Sequence, residues 1–171
     1  MSEKHYCMSP VVIDNNALAH WTIANESDDI WKRLNYLFKC LEQNNQQLII
    51  PAPVVAEFLV HVPDERLPFL EKLRQTNKVK IVSFDFKAAM ECAILTANAK
   101  SVGDKRYGGH STLQKIKVDE QIVAIAKVID AKLIVSDDKD IKNIARSFGI
   151  VCKKIKDLDL PPLPPQGNFF P

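Results

Sequence analysis

Leu133-Ile134-Val135-Ser136-Asp137-Asp138-Lys139-Asp140-Ile141 is the stretch from which the fold can be read. Three apolar residues, two of them β-branched, run straight into three carboxylates within four positions. Such an order describes a buried strand that empties into an acidic loop. Neighbouring carboxylates repel unless protons, basic side chains or a metal cation offset them, so the loop raises the question of where further acids lie.

Outward from this stretch, the same pattern recurs. Pro10-Val11-Val12-Ile13-Asp14 is a β-branched run that ends in an acid, and Ala17, Leu18 and Trp21 follow at helical spacing. Leu48-Ile49-Ile50, Val79 to Phe84 and Ile150-Val151-Cys152 read as further short strands. Between them, Ile30, Trp31, Leu34, Leu37, Phe38 and Leu41 mark a helix capped by Ser27 or Asp28 that runs out at Asn44-Asn45. Val54 to Val60, with Pro53 in the first turn, and Asp64 to Thr76 read as two more helices. Asp85 caps a helix to Ala99 carrying Phe86, Ala89, Met90, Ala93, Ile94 and Ala97. Asp119 opens another, and Lys139 to Phe148 forms the last, stopped by Gly149. Strands alternating with helices, without hairpin turn signals, predict an α/β fold with a mainly parallel sheet covered on both faces.

A hydrophobic share of 46% in 171 residues supports one domain with a substantial core, here residues 1–156, followed by a Pro-rich tail at 157–171. In that tail Pro161-Pro162-Leu163-Pro164-Pro165 favours an extended conformation, with Phe169-Phe170 beyond it. The net charge of +2, from 23 basic and 21 acidic side chains, creates no global field that demands a nucleic-acid partner. Cys7, Cys40, Cys92 and Cys152 are widely spaced, without a CxxC pair, and read as reduced, mostly buried thiols. No apolar run reaches the roughly 20 residues of a membrane span, and no signal-like segment opens the chain, so a cytoplasmic location is expected.

The spacing places a candidate site at one edge of the sheet. Asp14 and Asp137 each stand at the carboxyl end of a strand, where ligands gather in parallel sheets. Glu57 and Asp119 sit in the first turns of helices that begin at that edge, each on an otherwise apolar face where an unpaired carboxylate is costly. Asp119 shares its stripe with Ile122, Val123, Ala126 and Ile129. With Asp140 as a fifth acid, these groups form an oxygen-only set suited to Mg²⁺ or Mn²⁺, with no His or Cys at zinc spacing. Its best use is hydrolysis of a phosphodiester, where a metal-bound water supplies the nucleophile. Taken alone, Asp137, Asp138 and Asp140 read equally well as a solvated helix start. Asp138 is expected to point outward, and Glu120, beside Asp119, to face solvent.

Ser101 to Lys117 breaks the alternation, with Gly103, Gly108 and Gly109 among Lys105, Arg106, Lys115 and Lys117. It reads as a basic, flexible loop. Its four cations read equally well as solvated loop charges or as contacts to the phosphates of a nucleic acid, for which Tyr107 or His110 could be a stacking platform.

Val-Val-Ile-Asp14, Pro-Ala-Pro-Val-Val-Ala-Glu57, Lys117-Val-Asp119-Glu-Gln-Ile-Val-Ala and Leu-Ile-Val-Ser136-Asp137-Asp-Lys-Asp140 resemble, in order, the motifs of the PIN-domain ribonucleases. The resemblance covers roughly the first 150 residues, a normal domain size. It implies a three-layer α/β/α sandwich and an endoribonuclease with Asp14, Glu57, Asp119 and Asp137 around Mg²⁺ or Mn²⁺. Asp140 and Asn16 would assist, and Ser136 would steady the acidic loop. In size and layout the chain is similar to the VapC-like toxins of toxin–antitoxin pairs, which implies RNA as substrate, an antitoxin as partner and a homodimer. The alternative is a non-catalytic PIN-like module that binds RNA or protein, its acids being remnants.

Overall fold

The computed structural model of the protein describes residues 7–163, apart from His61 and the side chain of Pro63. Among the described residues five strands form one sheet: β1 (Val11–Ile13), β2 (Leu48–Pro51), β3 (Val79–Val82), β4 (Leu133–Val135) and β5 (Val151–Lys153). Their order is β3-β2-β1-β4-β5 and every pairing is parallel. In register, Val11, Val12 and Ile13 face Leu133, Ile134 and Val135. All three strands at the centre are fully buried, which is why they read as unbroken apolar runs rather than alternating ones.

The helices are α1 (Asn15–Ile23), α2 (Asp29–Gln43), α3 (Ala52–Val60), α4 (Pro63–Gln75), α5 (Phe86–Ser101), α6 (Leu113–Val128) and α7 (Lys139–Ser147). They cover the sheet as an α/β/α sandwich, the architecture expected from the alternation. Trp21 joins three of them, meeting Phe38 and Phe69 edge-on with ring centroids 5.9 and 6.0 Å away. On α2 the predicted stripe is buried through Leu34, Leu37 and Leu41. All four cysteines are free thiols, and Cys7 is buried.

Three local expectations change. The expected loop from Ser101 to Lys117 is shorter, because α6 already begins at Leu113, with the Thr112 hydroxyl accepting from the Lys115 N–H at 3.3 Å. The run of lysines and glycines had hidden this cap and first turn. Asp119 therefore lies in the second turn of α6 rather than opening the helix. On α5 the buried positions are Ala88, Leu95 and Ala99, while Phe86, Met90 and Ile94 are exposed, Phe86 by 79%.

After β5 a short 3-10 turn at Ile155–Asp157 leads to Leu158. Ile155 and Leu158 are buried in the core, and the Leu158 carbonyl accepts a hydrogen bond from Arg33 on α2. Leu160 and Leu163 are exposed. The remaining tail residues, including Pro164, Pro165, Phe169 and Phe170, lie outside the described residues. Among the described residues no helix is long and apolar enough to cross a membrane.

Candidate functional site

The strand order fixes where a site can form. The chain moves outward from β1 to β2 and β3, then returns to add β4 and β5 on the other side of β1. Adjacent crossovers diverge between β1 and β4, which opens a crevice beyond the carboxyl ends of these two strands. Asp14 and Ser136 are the first residues past those ends.

Asp14 is tied to this position from two sides. Its backbone N–H donates to the Val135 carbonyl at 3.0 Å. The Ser136 hydroxyl donates to Asp14 Oδ2 at 2.7 Å and in turn accepts from the Asp138 N–H at 3.0 Å. Although Asp14 precedes α1, its carboxylate makes no capping bond to that helix. Burial pushes its pKa up to about 6, against the lowering effect of the Ser136 hydroxyl and the Asn15 N–H.

Asp119 projects from α6 toward the same crevice and is only 5% exposed. Burial pushes its pKa up to about 7, while the ammonium of Lys115, one turn earlier, pulls the other way. Asp138 ends the extended segment after β4 and caps α7, its Oδ1 accepting from the Asp140 N–H at 2.7 Å. One oxygen from each of Asp119, Asp138 and Asp140 lies within 4.8 Å of the others.

Lys115 stands among these three carboxylates. Its Nζ is 2.8 Å from Asp119 Oδ2, 2.8 Å from Asp138 Oδ2 and 3.1 Å from Asp140 Oδ2. Burial alone would lower the lysine pKa, but bonds to Asp119, Asp138 and Asp140 raise it, so the group stays charged. For Asp140, burial on its own would raise the pKa, yet the Ser111 hydroxyl and Lys115 hold it below the usual carboxylate range. An ammonium bound by one oxygen from each of three acids is a stand-in for a hard cation. The donor set is all oxygen, as Mg²⁺ or Mn²⁺ requires.

A cleft of about 410 Å³ opens over this arrangement, walled by Asp14, Asn16, Glu57, Lys115, Asp119 and Asp138, among others. Three of the four expected acids, Asp14, Glu57 and Asp119, thus come together with Asp140 close by. Glu57 is exposed on the rim rather than sunk in an apolar face. Asp137 does not line the cleft. It lies in a separate cavity with Lys139, Lys142 and Arg146, and Asp138, expected to point outward, takes the inward place. The cause is the period of an extended chain: Ser136 faces Asp14, so Asp137 turns away and Asp138 turns back. Asn15, also on the cleft wall, carries a buried Oδ1 without a hydrogen-bond partner among the described residues.

The basic loop divides in the same way. Lys115 belongs to the acid cluster, whereas Lys105 and Lys117 line another cavity with Lys100 and Glu120. Lys117 and Asp119 are two residues apart on one helix, about 200° around its axis. Arg106 is exposed in the loop. Tyr107 is not a free platform: its hydroxyl donates to Glu120 Oε1 at 2.8 Å, and Thr96 Oγ1 donates to Glu120 Oε2 at 3.0 Å. Glu120, read from sequence as solvent-facing, is 4% exposed and anchors the loop. The loop also packs on the acid cluster, since a Cβ at Gly109 would come 2.5 Å from Asp140 Oδ1 and 3.0 Å from the Arg106 carbonyl. Ser111 left no signal in the sequence, and Gly109 marked only a loop. Lys115 did, through its i,i+4 spacing to Asp119.

A parallel sheet with carboxylates gathered at its switch point defines an open α/β fold built around an acidic centre. The model of the PIN domain family matches residues 11–147, and the chain belongs to that family, which is of nuclease type. Two solved structures share the fold. The crystal structure of VapBC2 from Rickettsia felis, bound to a DNA fragment from their promoter, matches with a TM-score of 0.60 at 15% identity, over 85% of this chain and 98% of that one. DNA-bound VapBC from Salmonella typhimurium matches with a TM-score of 0.58 at 15% identity, over 86% and 98%. Among curated proteins, none matches in sequence.

Proposed function

We propose that the protein is a Mg²⁺- or Mn²⁺-dependent endoribonuclease that acts in the cytoplasm as the toxin of a toxin–antitoxin pair. The observation that carries this reading is the group of Asp119, Asp138 and Asp140 oxygens within 4.8 Å of one another, two of these acids lining one cleft with Asp14. Asp119, Asp138 and Asp140 would hold the ion, with Asp14 and Glu57 facing it across the cleft. When bound, the metal lowers the pKa of a water and offsets charge that develops on the phosphate oxygens. Ser136 keeps the Asp14 carboxylate oriented, and its bond to the Asp138 N–H sets the loop that presents Asp138. Lys115, which bonds the same three carboxylates, would compete with the ion for them, and an ammonium displaced from them would stand at the cleft wall within reach of a substrate phosphate.

The toxin assignment draws its support from the two VapBC structures that share the fold. A protein antitoxin that covers the cleft, and pairing of two copies of the chain, follow from the same analogy. We also infer that the nuclease domain reaches two residues past the expected boundary at 156, to the buried Leu158 that Arg33 contacts, and that the Pro-rich remainder is a separate tail.

The test compares wild type with Asp14→Asn on single-stranded and structured RNA in Mg²⁺, Mn²⁺ or EDTA. Cleavage is expected only for wild type with metal, and equal cleavage by the variant would sink the assignment. One observation favours a second reading, a non-catalytic binding module: Lys115 already offsets the three carboxylates. That reading predicts no heat of Mn²⁺ binding by calorimetry.

A further inference from the structure

The acidic loop has two sides, and the side away from the cleft is basic. A cavity of about 290 Å³ lies there between α7 and β5. Lys139, Lys142 and Arg146 enter it from α7 and Lys154 from just beyond β5, while Asp137 and Asp157 are its acids apart from Asp138. Among the described residues none of the four cations forms an ion pair, whereas Asp138 is already bonded to Lys115. Burial pushes the Cys152 thiol in the same wall up to about 12, helped by Asp14, so it adds no negative charge. The cavity thus has four cations facing two unmatched acids, an excess that suits an anionic ligand.

Position identifies that ligand's class. Asp138 lines both the acidic cleft and this cavity, so one side chain separates them. Asn143 and Arg146 continue the cavity into a neighbouring pocket of about 320 Å³ that includes Tyr107 and Phe148. The basic cavity around Lys105 and Lys117, by contrast, shares no lining residue with the cleft. A cleft of carboxylates repels a phosphate chain on either side of the bond to be cut, so cations must hold the flanking phosphates. The geometry points to the Lys139–Lys142–Arg146–Lys154 cavity as the phosphate-binding track for the strand that leaves the acidic cleft, a single-stranded nucleic acid crossing the loop at Asp138. The ligand class rests on the nuclease reading; the placement on α7 and β5 rather than on the Gly-rich loop does not.

The test is binding in EDTA, where cleavage plays no part. Anisotropy of a labelled single-stranded RNA, and of DNA of the same sequence, is measured against salt for wild type, Lys142→Gln/Arg146→Gln and Lys105→Gln/Lys117→Gln, with melting temperatures as the check on folding. The α7 pair is expected to weaken binding on the order of tenfold and to lower the salt slope by about 1.4, or about 0.7 for each lost single-strand contact. The loop pair should leave both unchanged. Equal binding by wild type and the α7 variant, or loss in the loop variant alone, overturns the track. Unchanged RNA binding together with polyglutamate binding that the α7 variant abolishes reassigns the cavity to an acidic peptide and likewise overturns it. A protein that binds RNA through α7 but never cleaves it keeps this inference and loses the catalytic one; one that cleaves with both variants equally bound does the reverse.

Discussion

On one side of the Ser136–Lys139 loop lies a cleft walled by carboxylates, and on the other a cavity walled by lysine and arginine. Asp137 and Asp138 are neighbours in the chain yet belong to different sides. Asp138 is bonded to Lys115 and aligned by Ser136, whereas Asp137 sits among cations on the far side. The difference comes from the alternation of an extended backbone rather than from the residues' own chemistry, which is identical. It teaches that charge at a strand end acquires its role from register.

Exchanging the two acids for amides gives the sharpest contrast. By calorimetry, Asp138→Asn is expected to weaken Mn²⁺ binding on the order of 100-fold, since even the outer partners of a metal ligand are worth 10- to 100-fold. Asp137→Asn should stay within about twofold. The reverse ranking would transfer the site to the other side of the loop.

Ser136→Ala tests what keeps the sides apart. Without the hydroxyl, Asp14 loses its 2.7 Å donor and the Asp138 N–H its acceptor. A loss of roughly tenfold in Mn²⁺ affinity is expected, with RNA affinity in EDTA unchanged because the basic cavity keeps its cations. A parallel loss in both measurements would mean that the loop has moved as a whole.

A smaller effect is expected from Lys115→Met. Removing the ammonium leaves three carboxylates facing one another, and a drop of about 1 kcal/mol in metal-free stability is expected, the upper end for a half-exposed ion pair. Saturating Mn²⁺ should restore the melting temperature to that of wild type with metal. A variant as stable as wild type in EDTA would show that the three contacts contribute nothing.

The gentlest test is pH. Asp14 and Asp119 have folded-state pKa values raised from 3.8 to about 6 and about 7, mainly by burial. Their protonated forms therefore add stability that is fully present below 3.8 and lost as pH rises through about 6 and 7. Asp140 is shifted the other way, so its contribution disappears only in acid below the ordinary carboxylate range. In EDTA the melting temperature should fall between about pH 4 and 7, and Asp119→Asn should flatten that fall, whereas Asp137→Asn should not.

Much of this arrangement was legible in the chain. The central strands announce themselves because burial on both faces demands unbroken apolar runs. Asp14 and Asp119 were legible because a carboxylate among residues such as Ile122 and Val123 needs a reason to be there. The choice between Asp137 and Asp138 was not, since it depends on a single step of register at the end of β4. The start of α6 was hidden because Lys115 and Lys117, read as loop cations, belong to its first two turns. Glu120 was misjudged because its partners, Tyr107 and Thr96, come from a loop and a helix whose packing no local pattern records. The phenylalanine and methionine on α5 show the opposite limit, for an apolar stripe need not face the core that its own helix covers.

The bond between Ser136 and Asp14 joins positions 122 residues apart. During synthesis, a chain stopped before β4 already carries Asp14, Glu57 and Asp119 but neither Asp138 nor the hydroxyl that orients Asp14. Domains fold as units once their sequence is available. The acidic centre therefore arises only when translation of the domain is nearly finished, and truncated or prematurely released fragments are born without it.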